Sequence, residues 1–191
     1  MKKIKQIIKN IEKETKAIGF DQISDNKVGE LLATLIASKA SAKIVELGTG
    51  SGLSTAWIAH GMDSTSQLIT VDTEEHLVSI ARKYLGEDSQ IRFVVGTGES
   101  VIDSIKHESI DIIFADTWPG KYHYVEEALS LLKVGGMYII DDMLPQENWP
   151  EGHDVKADAL IKYLKQREDL QVVEMSWSTG VIVCTKIARD F

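Results

Sequence analysis

Two rhythms of apolar residues run along this chain. Ile4, Ile7, Ile8 and Ile11 recur at i, i+3, i+4 and i+7, which predicts an amphipathic helix over 3–17. Lys2, Lys5, Lys9, Lys13 and Lys16 fill its other faces, so the helix is expected to pack on the domain with a solvated lysine face. A second helical stretch runs from about Asp25 to Lys39, with Ser24 or Asp25 as cap. Short apolar runs then recur near 43–48, 67–72, 91–95, 110–115 and 136–141, separated by helical patterns near 53–60, 74–85, 98–105 and 121–132. A run such as Ile110-Asp111-Ile112-Ile113-Phe114-Ala115 suits a strand covered on both faces. Alternation of this kind predicts an α/β fold with a doubly wound, mostly parallel sheet. After a helix near 154–167, Leu170–Trp177 and Val181–Ile187 form an antiparallel C-terminal hairpin that turns at Ser178-Thr179-Gly180.

Composition narrows the reading. With 191 residues, 43% of them hydrophobic, the chain is expected to form a single domain, with N-terminal helices over 1–40 and a core over 41–191. No apolar run approaches the roughly 18 residues a membrane span needs, and no signal-peptide core follows the basic start. The lone Cys184 sits in an apolar run as a small buried hydrophobe. A cytoplasmic protein is expected. The net charge of −8 argues against broad nucleic-acid binding, although the lysine-rich first helix leaves RNA as a lesser reading.

The candidate chemistry starts at Ile44-Val45-Glu46-Leu47-Gly48-Thr49-Gly50-Ser51-Gly52, a buried strand running into a glycine turn and then a helix. Glycine adopts positive φ and lets a ligand lie against the backbone, and the following helix start presents free N–H groups. Leu53 stands where a dinucleotide fingerprint places its third glycine, and no phosphate loop of the G-x-x-x-x-G-K-[ST] type is present. Glu46 would repel a pyrophosphate and suits a cationic cofactor. E-x-G-x-G-x-G resembles the first motif of Rossmann-like methyltransferases that use S-adenosylmethionine (SAM). About 20 residues after Gly50, Asp72 ends a second strand, where an acid can accept hydrogen bonds from both ribose hydroxyls. Thr73 or Asp72 caps the helix that follows, and the plainer reading is that Asp72 is only that cap. On this reading Glu46, Gly48, Thr49, Gly50, Ser54, Asp72, Thr73, Gly98, Glu99, Asp116 and Trp118 surround the cofactor, with Gly96-Thr97-Gly98-Glu99 at its adenine end.

Ligands of open α/β sheets bind outside the carboxyl ends of the strands. Here those ends carry Glu46/Gly48, Asp72, Gly96–Glu99, Asp116-Thr117-Trp118 and Asp141-Asp142. Asp116, Asp141 and Asp142 would raise one another's pKa unless a cation sits nearby. A hard divalent cation such as Mg²⁺ would relieve the repulsion and acidify a substrate hydroxyl. The other reading is that one aspartate caps a turn while the rest face solvent.

Val45–Gly52, Asp116-Thr117-Trp118-Pro119-Gly120-Lys121-Tyr122 and Gly135-Gly136-Met137-Tyr138-Ile139-Ile140-Asp141-Asp142 together resemble the catechol and caffeoyl-CoA type of O-methyltransferase. The likeness runs from about Ile23 to Ile187. It implies SAM at Glu46, Gly48, Gly50 and Asp72, a tryptophan at Trp118 beside the cofactor, and a divalent metal at Asp116, Asp141 and Asp142. Two departures stand out. The family's Asp-Asn pair is Asp141-Asp142 here, and its catalytic lysine falls on Pro119. Lys121, His123 and His153 are the remaining candidates for the base. The stiff Met143–His153 segment, with two prolines and a tryptophan, reads as a substrate lid or as a connector. Related enzymes are often dimers through their N-terminal helices, so the isoleucine stripe suggests a homodimer.

These readings converge on a SAM-dependent methyltransferase acting on a hydroxyl of a small molecule, with or without a divalent cation. An RNA-modifying methyltransferase, a NAD-dependent oxidoreductase and a non-catalytic SAM-binding module are the alternatives.

Overall fold

The computed structural model describes residues 2–146 and 149–188. Strands β1 (Lys43–Leu47), β2 (Gln67–Asp72), β3 (Ile91–Val95), β4 (Ile110–Ala115), β5 (Leu132–Ile140), β6 (Leu170–Met175) and β7 (Val181–Lys186) form one seven-stranded sheet. Its order is β3-β2-β1-β4-β5-β7-β6. The first five strands pair in parallel, while β7 runs antiparallel to both β5 and β6. The expected Rossmann-like sheet with its C-terminal hairpin is therefore present. The chain winds outward from β1 to β3, then returns to lay β4 on the other side of β1. That reversal opens a crevice at the carboxyl ends of β1 and β4.

Both sheet faces are covered, which is why the strands read as nearly continuous apolar runs. On one face Ile44, Leu68, Ile112 and Phe114 pack against α1 (Lys2–Ala17), α2 (Asn26–Ala37) and α3 (Leu53–Gly61). On the other, Val45, Leu47, Ile113 and Tyr138 meet Leu129 of α6 (Val125–Ser130) and Leu160 and Leu164 of α7 (His153–Gln166). Helices α4 (Glu75–Leu85) and α5 (Gly98–Ser104) complete the alternation.

Two expectations change. The helix expected over 121–132 is only Val125–Ser130, because Tyr124 takes a left-handed φ of 58° and Pro119 bridges to His123. Strand β5 starts at Leu132, earlier than 136, and absorbs Gly135-Gly136 through a register shift opposite Ile110–Ile112. The isoleucine stripe is used within the chain, as expected of a helix packed on the domain: Ile8 and Ile11 are buried, and Ile4 and Ile7 pack, partly buried, on the same cluster. Lys5, Lys9, Lys13 and Lys16 form the solvated face of α1. Among the described residues no helix is long and apolar enough to cross a membrane.

Candidate active site

At the end of β1 the backbone turns at Gly48 with φ 103°, a conformation that favours glycine. A Cβ there would lie 2.8 Å from the Asp116 carbonyl oxygen, so the absent side chain lets the tips of β1 and β4 touch. The amides of Gly48 and Thr49 donate to the Val71 carbonyl at 2.9 and 3.1 Å, tying the turn to β2. Asp72 holds it from the front, its Oδ2 accepting from Gly50 N at 2.8 Å and its Oδ1 from Glu74 N at 3.0 Å. Each oxygen keeps a second acceptor position. Helix α3 starts behind the turn without a side-chain cap.

These groups form one end of a cavity of about 460 Å³. Gly48, Thr49, Gly50, Ser54 and Asp72 line this end, with Phe20–Ser24 from the link between α1 and α2 opposite them. Asp116, Trp118, Lys121, Tyr122, Asp142 and His153 line the other end. Trp149, Pro150 and Gln146 of the 143–153 segment also border it; Glu147 and Asn148 of that segment lie outside the described residues. The segment is pinned to the β6–β7 turn, Met143 N and Leu144 N donating to the carbonyls of Gly180 and Thr179 at 3.0 and 2.9 Å.

Several expected cofactor contacts do not reach the cavity. Glu46 is fully buried beneath the turn, where Oε2 accepts from Thr55 and Thr70 hydroxyls at 2.6 Å each and Oε1 has no partner. On β1 it shares the face of Ile44, so it points under α3 rather than toward a ligand. Burial, its largest perturbation, pushes its pKa up to about 7 against the three hydroxyls of Ser54, Thr55 and Thr70. Thr73 is exposed outside the cavity. Gly98 instead lets α5 approach Pro119, since a Cβ would sit 2.8 Å from the proline Cβ. Glu99 pairs with His123 Nε2 at 2.9 Å. His123 is thereby removed from the large cavity and lines a second one of about 400 Å³, which shares Trp118, Lys121 and Tyr122 with the first.

The acidic end is held by partners the sequence did not announce. Of the two expected helix caps, Asp25 is the cap, its side chain accepting from Lys27 N at 2.7 Å, while Ser24 donates to Asp116 Oδ2 at 3.1 Å. Thr179, expected only as part of a turn, donates its hydroxyl to Asp141 Oδ1, which also accepts from Asp142 N at 2.8 Å. Asp141 is buried behind the cavity wall, whereas Asp142 reaches the cavity from a left-handed φ of 55°. Burial and then the Asp141 and Asp142 charges raise the Asp116 pKa well above the usual carboxylate range. Burial and then Asp142 push Asp141 up to about 6, and burial raises Asp142. The Lys121 charge opposes the rise at all three.

The donor set does not match the expected metal. One oxygen of Asp141 already accepts two hydrogen bonds and one of Asp116 accepts a third. Among the described residues, no three acidic, histidine or cysteine side chains are arranged to hold an ion together.

Two further groups at this end stand out. Lys121 is only 4% exposed although it lies on the cavity wall. His153, at the start of α7, is 8% exposed, its Nε2 lies 2.7 Å from the Tyr122 hydroxyl, and its Nδ1 is buried without a partner. Trp149 packs against the imidazole at a ring-centroid distance of 4.3 Å. Burial, then the Lys121 and Lys156 charges, lower the His153 pKa. Burial and the nearby Asp142 and Asp116 raise that of Tyr122, which therefore stays protonated at neutral pH.

A glycine turn at the switch point of a doubly wound sheet, with an acid on the next strand tip and a polar chamber beside it, defines a Rossmann-like fold. Within that class, the chain belongs to the O-methyltransferase family, whose model matches residues 2–187. A Mycolicibacterium vanbaalenii protein named "Putative O-methyltransferase" is 32% identical over 118 residues, 59% of this chain and 52% of that protein. The chain thus spans about half the length of the curated relatives it matches. Among solved structures, TomG of Streptomyces achromogenes, an O-methyltransferase in complex with SAM, shares the fold with a TM-score of 0.83 at 18% identity, covering 95% of this chain and 90% of that one. The Bacillus cereus O-methyltransferase in complex with SAH (S-adenosylhomocysteine) gives 0.79 at 19% identity, covering 95% and 91%. The family leaves the oxidoreductase alternative without support.

Proposed function

We propose that this chain transfers the methyl group of SAM to a hydroxyl oxygen of a small-molecule acceptor. The observation that carries this reading is the single cavity that joins the Gly48–Gly50/Asp72 end to the Asp142/Lys121/His153 end. The first end fits SAM: the Asp72 carboxylate keeps an acceptor position on each oxygen for the ribose hydroxyls. A Cβ on Gly50 would meet only Phe20, at 3.8 Å, so the space above the turn is open. Gly48, Thr49 and Ser54 would flank the methionine portion.

Bound there, SAM would supply an electrophilic methyl group on a sulfonium for transfer to the acceptor oxygen. The chain's share of the work is position, charge and a proton acceptor. Of the three candidate bases, His123 is engaged with Glu99 away from this cavity, and Lys121 is assigned a different role below. His153 is the base we propose. With the proton on Nε2 and the Tyr122 oxygen accepting it, Nδ1 carries a lone pair, and the depressed pKa keeps the ring neutral near pH 7. Trp149 and Pro150 shield that nitrogen from water.

The test is methyl transfer from labelled SAM to a panel of hydroxylated small molecules, with unstructured RNA as a parallel arm. Label on a small-molecule oxygen is expected. Label only on RNA would replace this reading with the RNA-modifying one, and SAM binding with no acceptor labelled would favour a non-catalytic SAM-binding module.

A further inference from the structure

The acidic end of the cavity contains its own cation. Lys121 follows the turn in which Tyr138 donates its hydroxyl to the Gly120 carbonyl, and Lys121 N donates to Trp118 O at 3.0 Å. This local fold, the reason the expected helix starts late, drives the lysine inward. Its Nζ lies 5.4 Å from the Tyr122 ring centroid. Among the described residues it forms no ion pair within 4.0 Å; the residue is buried on the wall of the cavity while its ammonium keeps hydrogen-bonding capacity to spare. A lysine almost completely removed from solvent is costly unless negative charge stands close by. Here Asp116, Asp141 and Asp142 supply it, on strand ends that face the same space. The carboxylates, in turn, spend acceptor positions on Ser24, Thr179 and a backbone amide rather than turning them toward a common point. The arrangement fits a monovalent charge acting on the aspartates without a direct ion pair, and lacks the converging oxygens a divalent ion requires.

We propose that the Lys121 ammonium is the resident cation of this site. It takes the place of a divalent metal in balancing the aspartates and in hydrogen-bonding the acceptor oxygen as that oxygen loses its proton. This rests on the methyltransferase reading for the identity of the acceptor group, but the assignment of the cation can be tested without turnover. The two departures from the family pattern then have one cause. Pro119 removes a lysine from the usual position and Lys121 returns one by a different route. The extra charge of Asp142 in place of asparagine is matched by a buried ammonium.

The experiment is a Mn²⁺ titration read by the electron-spin resonance of free Mn²⁺, on the full chain with and without SAH, for wild type, Lys121→Met and Lys121→Arg. Wild type is expected to bind no Mn²⁺ tighter than about 1 mM, the weak end of the range of oxygen-ligand cation sites. Lys121→Met keeps the length of the side chain and removes the charge. It should bind Mn²⁺ at least about tenfold tighter, because three carboxylates lose their counter-ion. Lys121→Arg should behave as wild type. Sub-millimolar binding by wild type overturns the proposal, and so does a folded Lys121→Met that binds no tighter than wild type. If Lys121→Met does not fold, the wild-type titration still decides. Failure of SAH to bind would count against the cofactor reading, while the SAH-free titrations would still report on the cation.

Discussion

At the scale of single residues, Glu46 and His153 each bury a titratable group with one atom left unpartnered, and burial raises the pKa of one and lowers that of the other. Glu46 is a carboxyl in the core, held by hydroxyls on one oxygen and by nothing on the other. Its pKa is raised from 4.5 to about 7, so the folded state prefers it protonated. The stability this provides is fully present below the unfolded value of 4.5 and is lost as pH rises through about 7. Glu46→Gln, which never ionises, should gain on wild type by roughly 3 kcal/mol between pH 4.5 and pH 8 in denaturant titrations. Parallel stability curves for the two proteins would show that Glu46 is not titrating in this window. His153 makes a prediction of the opposite kind, on rate. With any acceptor that turns over, the acid limb of the rate profile should fall below the ordinary histidine pKa of 6.5, because burial and two lysines disfavour the charged ring. His153→Ala should cost about 10²-fold or more in kcat, the usual range for a general base, while SAH affinity stays near wild type. A loss of less than tenfold would remove His153 from the reaction.

At the scale of elements, the amphipathic pattern of the first helix and its packing on the domain were legible, but the elements it packs on were not. An isoleucine stripe at helical spacing states that one face must be covered and does not say by what. The cover is α3 and α4 of the same chain. Ile11→Ala, at a fully buried position, should destabilise by about 2–5 kcal/mol and lower Tm by roughly 4 to 20 °C. An unchanged Tm together with a fall in molecular mass by light scattering would instead place the stripe between two copies. The β6–β7 turn carries the second element-level prediction. Gly180 has φ 84°, and a Cβ there would lie 2.4 Å from Leu144 N, so the turn is pressed onto the start of the covering segment. Gly180→Ala should therefore cost at least about 1 kcal/mol in a thermal melt. A neutral result would mean that turn and segment are not packed together.

At the scale of the whole molecule, strand–helix alternation was enough to give the doubly wound sheet and its hairpin, because period and burial act locally along the chain. The glycine turn and Asp72 were legible for the same reason: a strand tip, a glycine and an acid lie close in sequence. What stayed hidden came from distant contacts. Ser24 meets Asp116 and Thr179 meets Asp141 across the fold, and both had the composition of ordinary cap or turn residues. Lys121 had the sequence context of a surface residue at a helix start, until the left-handed Tyr124 delayed the helix and turned the lysine inward. Glu46, Gly98 and Glu99 erred the other way, since a motif does not say which face of the strand or helix a side chain occupies. The central claim is that the crevice at the switch point of this sheet is a SAM site with Asp72 on the ribose. Calorimetric titration of wild type and Asp72→Ala with SAH tests it most directly. The account predicts a single saturable site in wild type, weakened roughly tenfold to a hundredfold in the folded variant by loss of hydrogen bonds to a charged group. No saturable binding to wild type, or equal affinity in the two proteins, would contradict it.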